Sequence, residues 1–558
     1  MAADHTATLS AAAPARVPAI ARFLPSLTDV AFLMPLSFLF LKLSGARSLL
    51  SDGDTGWHIR TGEWILNHHQ IPHTDLFSFS RPGAPWFAWE WLWDTMFALL
   101  FRSGGLAAVV LASTVVIGLS CAATFRLIRR KCDSGLVAIA VTLLATGGCA
   151  IHWLARPHLF TILFFVLSLH IAQRAHEGRT KLLGWLVPLT LVWTNMHGGF
   201  FVIFLVLACY IGGHLVNAMI EVDPARRRDY LSKTLPWLKT FGACFAVTFI
   251  NPYGWQLHRH IITYIADPWL LRHIAEFQGL DFHSPAVVYF EPLIIAALAV
   301  SFWAIRQRRF AEAFLALGWM HLALIAVRNL PLFSIACAPL IAEGVTALMR
   351  SASVAPLQER ISKAANWFRN ATASVDATDR IGRVHLVSAA AVGVLALLLF
   401  APKPAADRFV SEFDPKSFPA GAISVLRSPE THRIWAQDQW GDYLIYRMYP
   451  STKVFIDGRS DFYGDKFDDE NLRVLDVQVG WDKTLDRYGI DTVVVSPRLA
   501  LSSTLKVSRD WRVVFDDHYS IVFRRNRPAQ SSFASDSGEG RRDSVVTKST
   551  GRTDHGVS

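Results

Sequence analysis

Residues 29–60 read DVAFLMPLSFLFLKLSGARSLLSDGDTGWHIR, an apolar run followed at once by two aspartates that bracket a glycine. The run over 29–48 has the length of a bilayer crossing, for which roughly 20 residues suffice. Arg16 and Arg22 precede it and no small-residue cleavage site follows directly, so it reads as an anchor rather than a signal peptide. The whole chain agrees with this start. Its 558 residues are 52% hydrophobic and only 18% charged, with a mean hydropathy of +0.29, too apolar for an ordinary soluble multidomain enzyme. The net charge of +10 sits in short basic clusters between apolar runs, a pattern of membrane topology and not of a nucleic-acid-binding face. Six cysteines are scattered without paired metal-ligand spacing, so neither a zinc site nor a disulfide framework is implied.

Working outward, the expected architecture is a polytopic α-helical membrane protein with about eleven transmembrane helices. The spans fall near 29–48, 105–125, 134–154, 159–173, 182–195, 200–220, 235–250, 286–305, 311–327, 331–349 and 384–401. Residues 1–28 read as a cytoplasmic disordered N-terminus, 29–401 as the transmembrane domain with a first outer loop at 51–104, and 528–558 as a disordered tail. Residues 402–527 read as an extracytoplasmic α/β domain with a mostly parallel sheet, from the β-branched runs Lys453 to Ile456, Thr492 to Val495, Arg512 to Phe515 and Ser520 to Phe523. Lys and Arg gather at 126–131, 174–181, 226–233, 306–309 and 350–383, always in alternate loops, which makes those loops cytoplasmic.

The remaining polar motifs then share the outer side. Asp52 and Asp54 open a Trp-rich loop expected to lie on the bilayer surface, and carboxylates two residues apart can ligate a divalent cation or act as base and orienter. Alternatively, Asp54 merely caps a helix that begins near Gly56. Arg328 stands at the outer end of a span, where topology asks for no positive charge, and its fork suits a phosphate; a snorkelling arginine paired with an acid is the plainer reading. Arg156, in Arg156-Pro157-His158, is a second cation of the same kind. The Asn195 to Gly199 and Asn251 to Trp255 motifs fit tight turns as well as a cavity wall, with His197 the member to test.

Taken in order, these residues resemble the GT-C class of membrane glycosyltransferases, most closely the catalytic subunit of oligosaccharyltransferase and, beside it, the polyprenyl-phosphate sugar transferases. Asp54, His58 and Arg60 stand at the spacings of that family's first-loop acid, its +4 residue and its +6 arginine. His273-Ile274-Ala275-Glu276 looks like its Thr-Ile-x-Glu motif, and Arg328 matches the arginine that holds the carrier phosphate. Trp440-Gly441-Asp442-Tyr443 keeps three residues of its Trp-Trp-Asp-Tyr. The family's second acidic pair has no counterpart in the Ile151 to His158 stretch, and transfer to asparagine is not carried over.

The resemblance implies a GT-C-like fold in a bacterial inner membrane and an enzyme that moves a sugar from a polyprenyl-(pyro)phosphate carrier to an envelope acceptor on the outer face, with inversion. The acceptor would be a glycan, a lipid or a protein. Asp54, Asp52 and Glu276 would be catalytic, and the same three would hold magnesium or manganese if a cation takes part. Arg328, Arg156, His58, Arg60 and His197 would bind donor, while Trp440, Asp442, Asp457 and Arg459 would form an acceptor-side surface, the alternative for Asp457 and Arg459 being a turn with an internal Asp–Arg pair. Membrane lipid is the further partner expected, and no nucleic acid. The rival readings are a transporter or flippase of a lipid-linked or anionic substrate, and a non-catalytic envelope assembly protein.

Overall fold

The computed structural model describes residues 19–285, 287–352, 359–379, 382 and 384–526, so the readings at 1–18 and on the 528–558 tail lie outside the described residues. The chain divides into two compact units: Met1–Ala420 with Asp438–Asp465, and Gly421–Gln437 with Lys466–Ser558. Residues 402–420 and 438–465, read from the sequence as part of one C-terminal domain, therefore cluster with the helical unit.

The helical unit is a multi-pass membrane bundle. The first helix, Leu27–Ser37, begins in a reciprocal cap: Ser26 Oγ accepts from the Asp29 amide, and Asp29 Oδ2 accepts from the Ser26 amide at 2.9 Å. Trp91–Arg129 is two helices joined at Gly104 and Gly105, whose φ of 61° breaks the axis where the span read at 105–125 begins. Trp93, Trp193, Trp237 and Trp319 fill the interior, whereas Phe302 and Leu397 are 64% and 76% exposed, which suits a surface that meets lipid.

Among the described residues seven helices are long and apolar enough to cross a membrane, not eleven: Ile20–Lys42, Trp91–Arg129, Gly135–His152, His158–His176, Gly198–Ile220, Val287–Arg306 and Val327–Arg350. The difference has a physical cause at each remaining position. Phe310–Ile325, Leu386–Leu399 and Leu186–Met196 have 16, 14 and 11 residues, short of a hydrocarbon core at 1.5 Å per residue. Pro224–Val247 opens with Arg226, Arg227 and Arg228 and is apolar only in its second half.

The turns at residues 54, 156, 197 and 328 meet at one end of the bundle, where Arg156 pairs with Asp54 and Glu276 and where Arg328 and Arg156 both act on His197; the arginines at 126–130 and 306–309 lie at the opposite, C-terminal ends of the helices Trp91–Arg129 and Val287–Arg306. At the first end the loop at 51–104 forms the helix Asp54–His68 and an extended stretch. That stretch pairs with residues 453–456: Ser78 bridges Val454 in parallel, and the Phe79 amide donates to the Val454 carbonyl at 3.0 Å. The run Lys453 to Ile456 is thus a partner of the first loop and not a strand of the C-terminal sheet.

The smaller unit carries a four-stranded sheet of order β1-β2-β4-β3, with β1 Ile434–Ala436, β2 Thr492–Val495, β3 Trp511–Asp516 and β4 Ile521–Arg525. Only β1 and β2 are parallel; β2 with β4 and β4 with β3 are antiparallel, so the sheet is mixed and not mostly parallel. The reason is local, because residues 517–520 form a tight connection that turns β3 back on β4 as a hairpin, the Asp517 amide donating to the Ser520 carbonyl.

Candidate active site

Gly53 leads directly into the helix Asp54–His68, so Asp54 is its first residue and its amide donates to Asp52 Oδ1 at 3.0 Å. Thr55 then fixes the neighbouring turn. Its hydroxyl donates to the Ala155 carbonyl at 3.0 Å while the Ala155 amide donates to Leu49, which sets Arg156 opposite the two aspartates. Arg156 reaches Asp54 Oδ2 at 2.6 Å, Asp52 Oδ2 at 2.8 Å and Glu276 Oε1 at 3.3 Å. Four residues singled out in the sequence are therefore one cluster.

The cluster is electrostatically uneven. Burial pushes the Asp54 carboxyl up to about 7, against the pull of Arg156, and the negative charge of Asp52 adds to the rise. For Glu276 burial also acts upward, but Arg156, His152 and Arg328 outweigh it and hold the group at about 2. One acid is therefore ionised throughout the neutral range and the other is poised within it, the division of roles that acid–base chemistry needs.

Arg328 stands on the adjoining segment, packed over the Phe277 ring at 4.5 Å and hydrogen-bonded to Tyr264. Among the described residues it makes no ion pair, unlike Arg156. The alternative reading, Arg328 paired with an acid, is thus not found among the described residues. His273 turns away, its ring against the Trp269 carbonyl at 2.9 Å.

Other residues named from the sequence sit elsewhere. His58 is buried, its Nδ1 against Asp94 Oδ1 at 2.6 Å, and Arg60 donates to the Tyr446 carbonyl and pairs with Glu63, fastening helix Asp54–His68 to helix Asp438–Met448. Trp440 donates to the Ser417 carbonyl at 2.8 Å and is 4% exposed, an anchor of its own helix. Asp457 and Arg459, expected on an acceptor-facing surface, are 1% and 3% exposed instead. Arg459 donates to both oxygens of Asp457 and to Asp75 at 2.6–2.8 Å, beneath Phe77, Trp86 and Phe462. Their burial follows from the pairing of residues 453–456 with the first loop.

Asp442 is brought somewhere unforeseen: against Asp54. Helix Asp438–Met448 packs on helix Asp54–His68 where Gly56 leaves room, since a Cβ there would stand 2.7 Å from Tyr446 Cβ and 2.9 Å from the Asp442 carbonyl oxygen.

Glu90 was missed altogether. It is 8% exposed, and burial pushes its carboxyl up to about 8. His58 Nδ1 meets Asp94 Oδ1, and its Nε2 faces Glu90 Oε2 at 3.6 Å. On the other side His197 Nδ1 accepts from the Gly199 amide at 2.9 Å and meets the Thr161 hydroxyl at 2.8 Å, which turns its Nε2–H to Glu90 Oε1 at 3.5 Å. Burial, then Arg328 and Arg156, hold the His197 ring down at about 3, so it is neutral. The available signal was an acid between Trp89 and Trp91.

The donor set does not fit a divalent cation. Asp52, Asp54 and Glu276 spend oxygens on the guanidinium of Arg156, a fixed positive charge in the place a cation would take. Among the described residues no group of three or more His, Cys, Asp or Glu side chains has the arrangement to hold a metal ion.

No family model matches the chain, and no curated protein does. Among solved structures it is similar to the archaeal oligosaccharyltransferase AglB from Archaeoglobus fulgidus in complex with an inhibitory peptide and a dolichol-phosphate. The identity is 10% over 84% of this chain and 69% of that one, with a TM-score of 0.52. The apo form of the Archaeoglobus fulgidus oligosaccharyltransferase gives 12% identity, the same coverage and a TM-score of 0.50. ArnT from Cupriavidus metallidurans bound to undecaprenyl phosphate gives 13% identity over 88% of this chain and 97% of that one, at a TM-score of 0.44. At such identities the likeness is one of fold. The chain thus resembles, in three dimensions, the GT-C membrane glycosyltransferases that its motifs suggest.

Proposed function

We propose that this chain is a membrane glycosyltransferase that moves a sugar from a polyprenyl phosphate or pyrophosphate carrier to an envelope acceptor, with inversion at the anomeric carbon. The observation that carries the reading is the pairing, at one end of a GT-C-like bundle, of an acid poised near neutrality with an arginine that has no carboxylate partner among the described residues. The dolichol-phosphate bound to AglB supports a lipid-linked donor. The basic clusters at the opposite end of the bundle support a site on the extracytoplasmic face of a bacterial inner membrane, with the N-terminus in the cytoplasm.

In this reading Arg328 pairs with the carrier phosphate through its fork. Asp54 takes the proton of the acceptor hydroxyl as that oxygen bonds to the anomeric carbon on the face opposite the phosphate. The bond from the anomeric carbon to the phosphate oxygen breaks, and the phosphate leaves with its electron pair beside Arg328. Arg156, Asp52 and Glu276 hold Asp54 in place. Phosphate is a good leaving group once its charge is offset, so positioning and electrostatics supply most of the acceleration. The reaction class needs no covalent enzyme intermediate.

The test is turnover of radiolabelled polyprenyl-phosphate sugars by membranes carrying wild-type or Asp54→Asn protein at equal abundance, with and without a chelator. Wild type should consume a donor, and the variant should be slower by about 10²–10⁴-fold, the range for losing a general base. Wild type that is inert on a broad donor panel would overturn the reading in favour of transport or assembly. Loss of turnover with chelator alone would restore a cation to the site.

A further inference from the structure

We propose that the end of the bundle opposite the candidate active site holds a binding site for the phosphate of an anionic membrane lipid, centred on Arg126. The site uses none of the residues of the transferase reading. Three helices meet there: the start of Leu27–Ser37, the end of Trp91–Arg129 and the start of Leu386–Leu399. Between them opens a cavity of about 430 Å³, whose polar lining includes Arg126, Arg129, Arg130, Asp133, Asp379 and His385. That volume is in the range of small-ligand sites.

The charges of this lining are not all matched. Arg129 is engaged by Asp376 at 3.2 Å and by the Cys132 carbonyl at 2.6 Å, and Arg130 is paired with Glu177. The two acids are likewise committed: Asp379 Oδ1 accepts from the Leu27 amide at 2.6 Å, and Asp133 pairs with Arg350 at 3.3 Å. Arg126 is different. Among the described residues it pairs with no acid, and its Nη2 meets Nε2 of His385 at 3.4 Å. The other nitrogen of that ring faces Asp29 at 3.3 Å. A neutral imidazole offers the guanidinium no countercharge and a protonated one adds a second cation, so in either state Arg126 lacks an anion. Its planar fork matches the oxygens of a phosphate.

The third helix says which phosphate. Leu386–Leu399 starts at the cavity and ends beside Phe400, whose ring packs on Gly104, so it runs the length of the segment that follows Gly105. Its 14 residues rise only about 21 Å, against about 30 Å of hydrocarbon. A bilayer meets so short a crossing by thinning, which brings its phosphates toward the helix end. Leu386, Val394 and Leu397 are exposed along one stripe of this helix, a track for acyl chains that leads to the arginine. A soluble phosphate could use the cation but not the stripe. Basic pockets between membrane helices take acidic headgroups by the same combination.

Native mass spectrometry of the purified full-length protein counts the lipids that stay bound as detergent is stripped away. Offered phosphatidylglycerol and phosphatidylcholine in equal amounts, wild type should keep one phosphatidylglycerol that Arg126→Gln loses, with affinity falling about tenfold or more, as for a lost charge-assisted hydrogen bond. Arg226→Gln, which removes an equal charge from the exposed start of Pro224–Val247, should keep it. Equal loss from both variants would overturn the proposal in favour of diffuse attraction to positive charge. Equal retention of phosphatidylcholine by wild type would overturn it as well. Inorganic phosphate and glycerol phosphate, added at the lipid's concentration, should leave the lipid in place; displacement by either would reassign the cavity to a soluble phosphate. Arg126 is exposed and neutralises no acid, so its loss should leave the fold intact. Should Arg126→Gln nevertheless fail to accumulate, the choice wild type makes between the two lipids and the two soluble phosphates decides alone.

Discussion

Arg156 and Arg459 are both arginines held by several acids, yet they are built for different ends. Arg459 faces two aspartates, and all three side chains are at most 2% exposed. Asp457 also accepts the Tyr463 hydroxyl at 2.8 Å, and aromatic rings cover the guanidinium. Arg156 faces three acids, is 22% exposed, and leaves one oxygen of Asp54 without a donor. The first is a closed lock that ties Asp75 of the first loop to residues 457–463. The second is open and holds surplus negative charge. Charge pairing alone therefore does not mark a functional site, nor does an unmet valence, since Arg459 Nη1 is also without a hydrogen-bond partner among the described residues; exposure separates the two.

Breaking the lock should give the largest effect on the fold. Arg459→Ala strands Asp75 and Asp457 inside, and removing one partner of a buried ion pair costs about 3–5 kcal/mol. Arg156→Ala leaves Asp52 and Glu276 partly exposed and Asp54 already poised to take up a proton, so the lost charge is compensated more easily. Denaturation midpoints in detergent should show a loss for Arg156→Ala less than half that for Arg459→Ala, while donor turnover should vanish in both. Equal losses of stability would erase the contrast.

Removing an acid should separate the two clusters by sign. Asp457→Asn weakens a buried network and should cost about 1–3 kcal/mol. Asp54 behaves oppositely, because its folded value of about 7 lies above the ordinary 3.8. Between roughly pH 4 and 7 the native state binds more protons here than the unfolded state, so this group lowers stability progressively as pH rises, and the cost is complete above about pH 7. Asp54→Asn should therefore match wild type near pH 4 and exceed it at pH 8, at the expense of activity. Thermal melts of both variants across that range measure the sign directly.

The same contrast explains what could be read from the sequence. Asp52, Asp54, Arg156 and Glu276 are chemically out of place in short turns between apolar runs, so local sequence and alternation of the spans suffice to put them on one side. Asp442 is different, since nearly four hundred residues separate it from Asp54 and only the close approach allowed at Gly56 and Gly458 joins them. Glu90 was hidden because the tryptophans around it read as an interfacial belt. The run Lys453 to Ile456 has strand composition, but composition does not say that its partner is the first loop and not the sheet. The eleven spans expected and the seven long apolar helices differ at short apolar helices of 11–16 residues, which resemble full crossings in hydropathy alone.

Arg328 sharpens the comparison as a third case, an arginine with an aromatic ring and a tyrosine for neighbours and no carboxylate among the described residues. If it waits for a phosphate, Arg328→Lys should keep the charge and lose the two-pronged contact. A charge-assisted hydrogen bond is worth about 1.5–3 kcal/mol and a lysine recovers part of it, so the expected residue of the effect is roughly a tenfold rise in KM for the lipid-linked donor. The melting temperature should stay near that of wild type, because no buried acid loses its counter-charge. A comparable fall in stability with KM unchanged would instead make Arg328 a structural group like Arg459, and the phosphate would then have to be held by Arg156, whose charge three acids already claim.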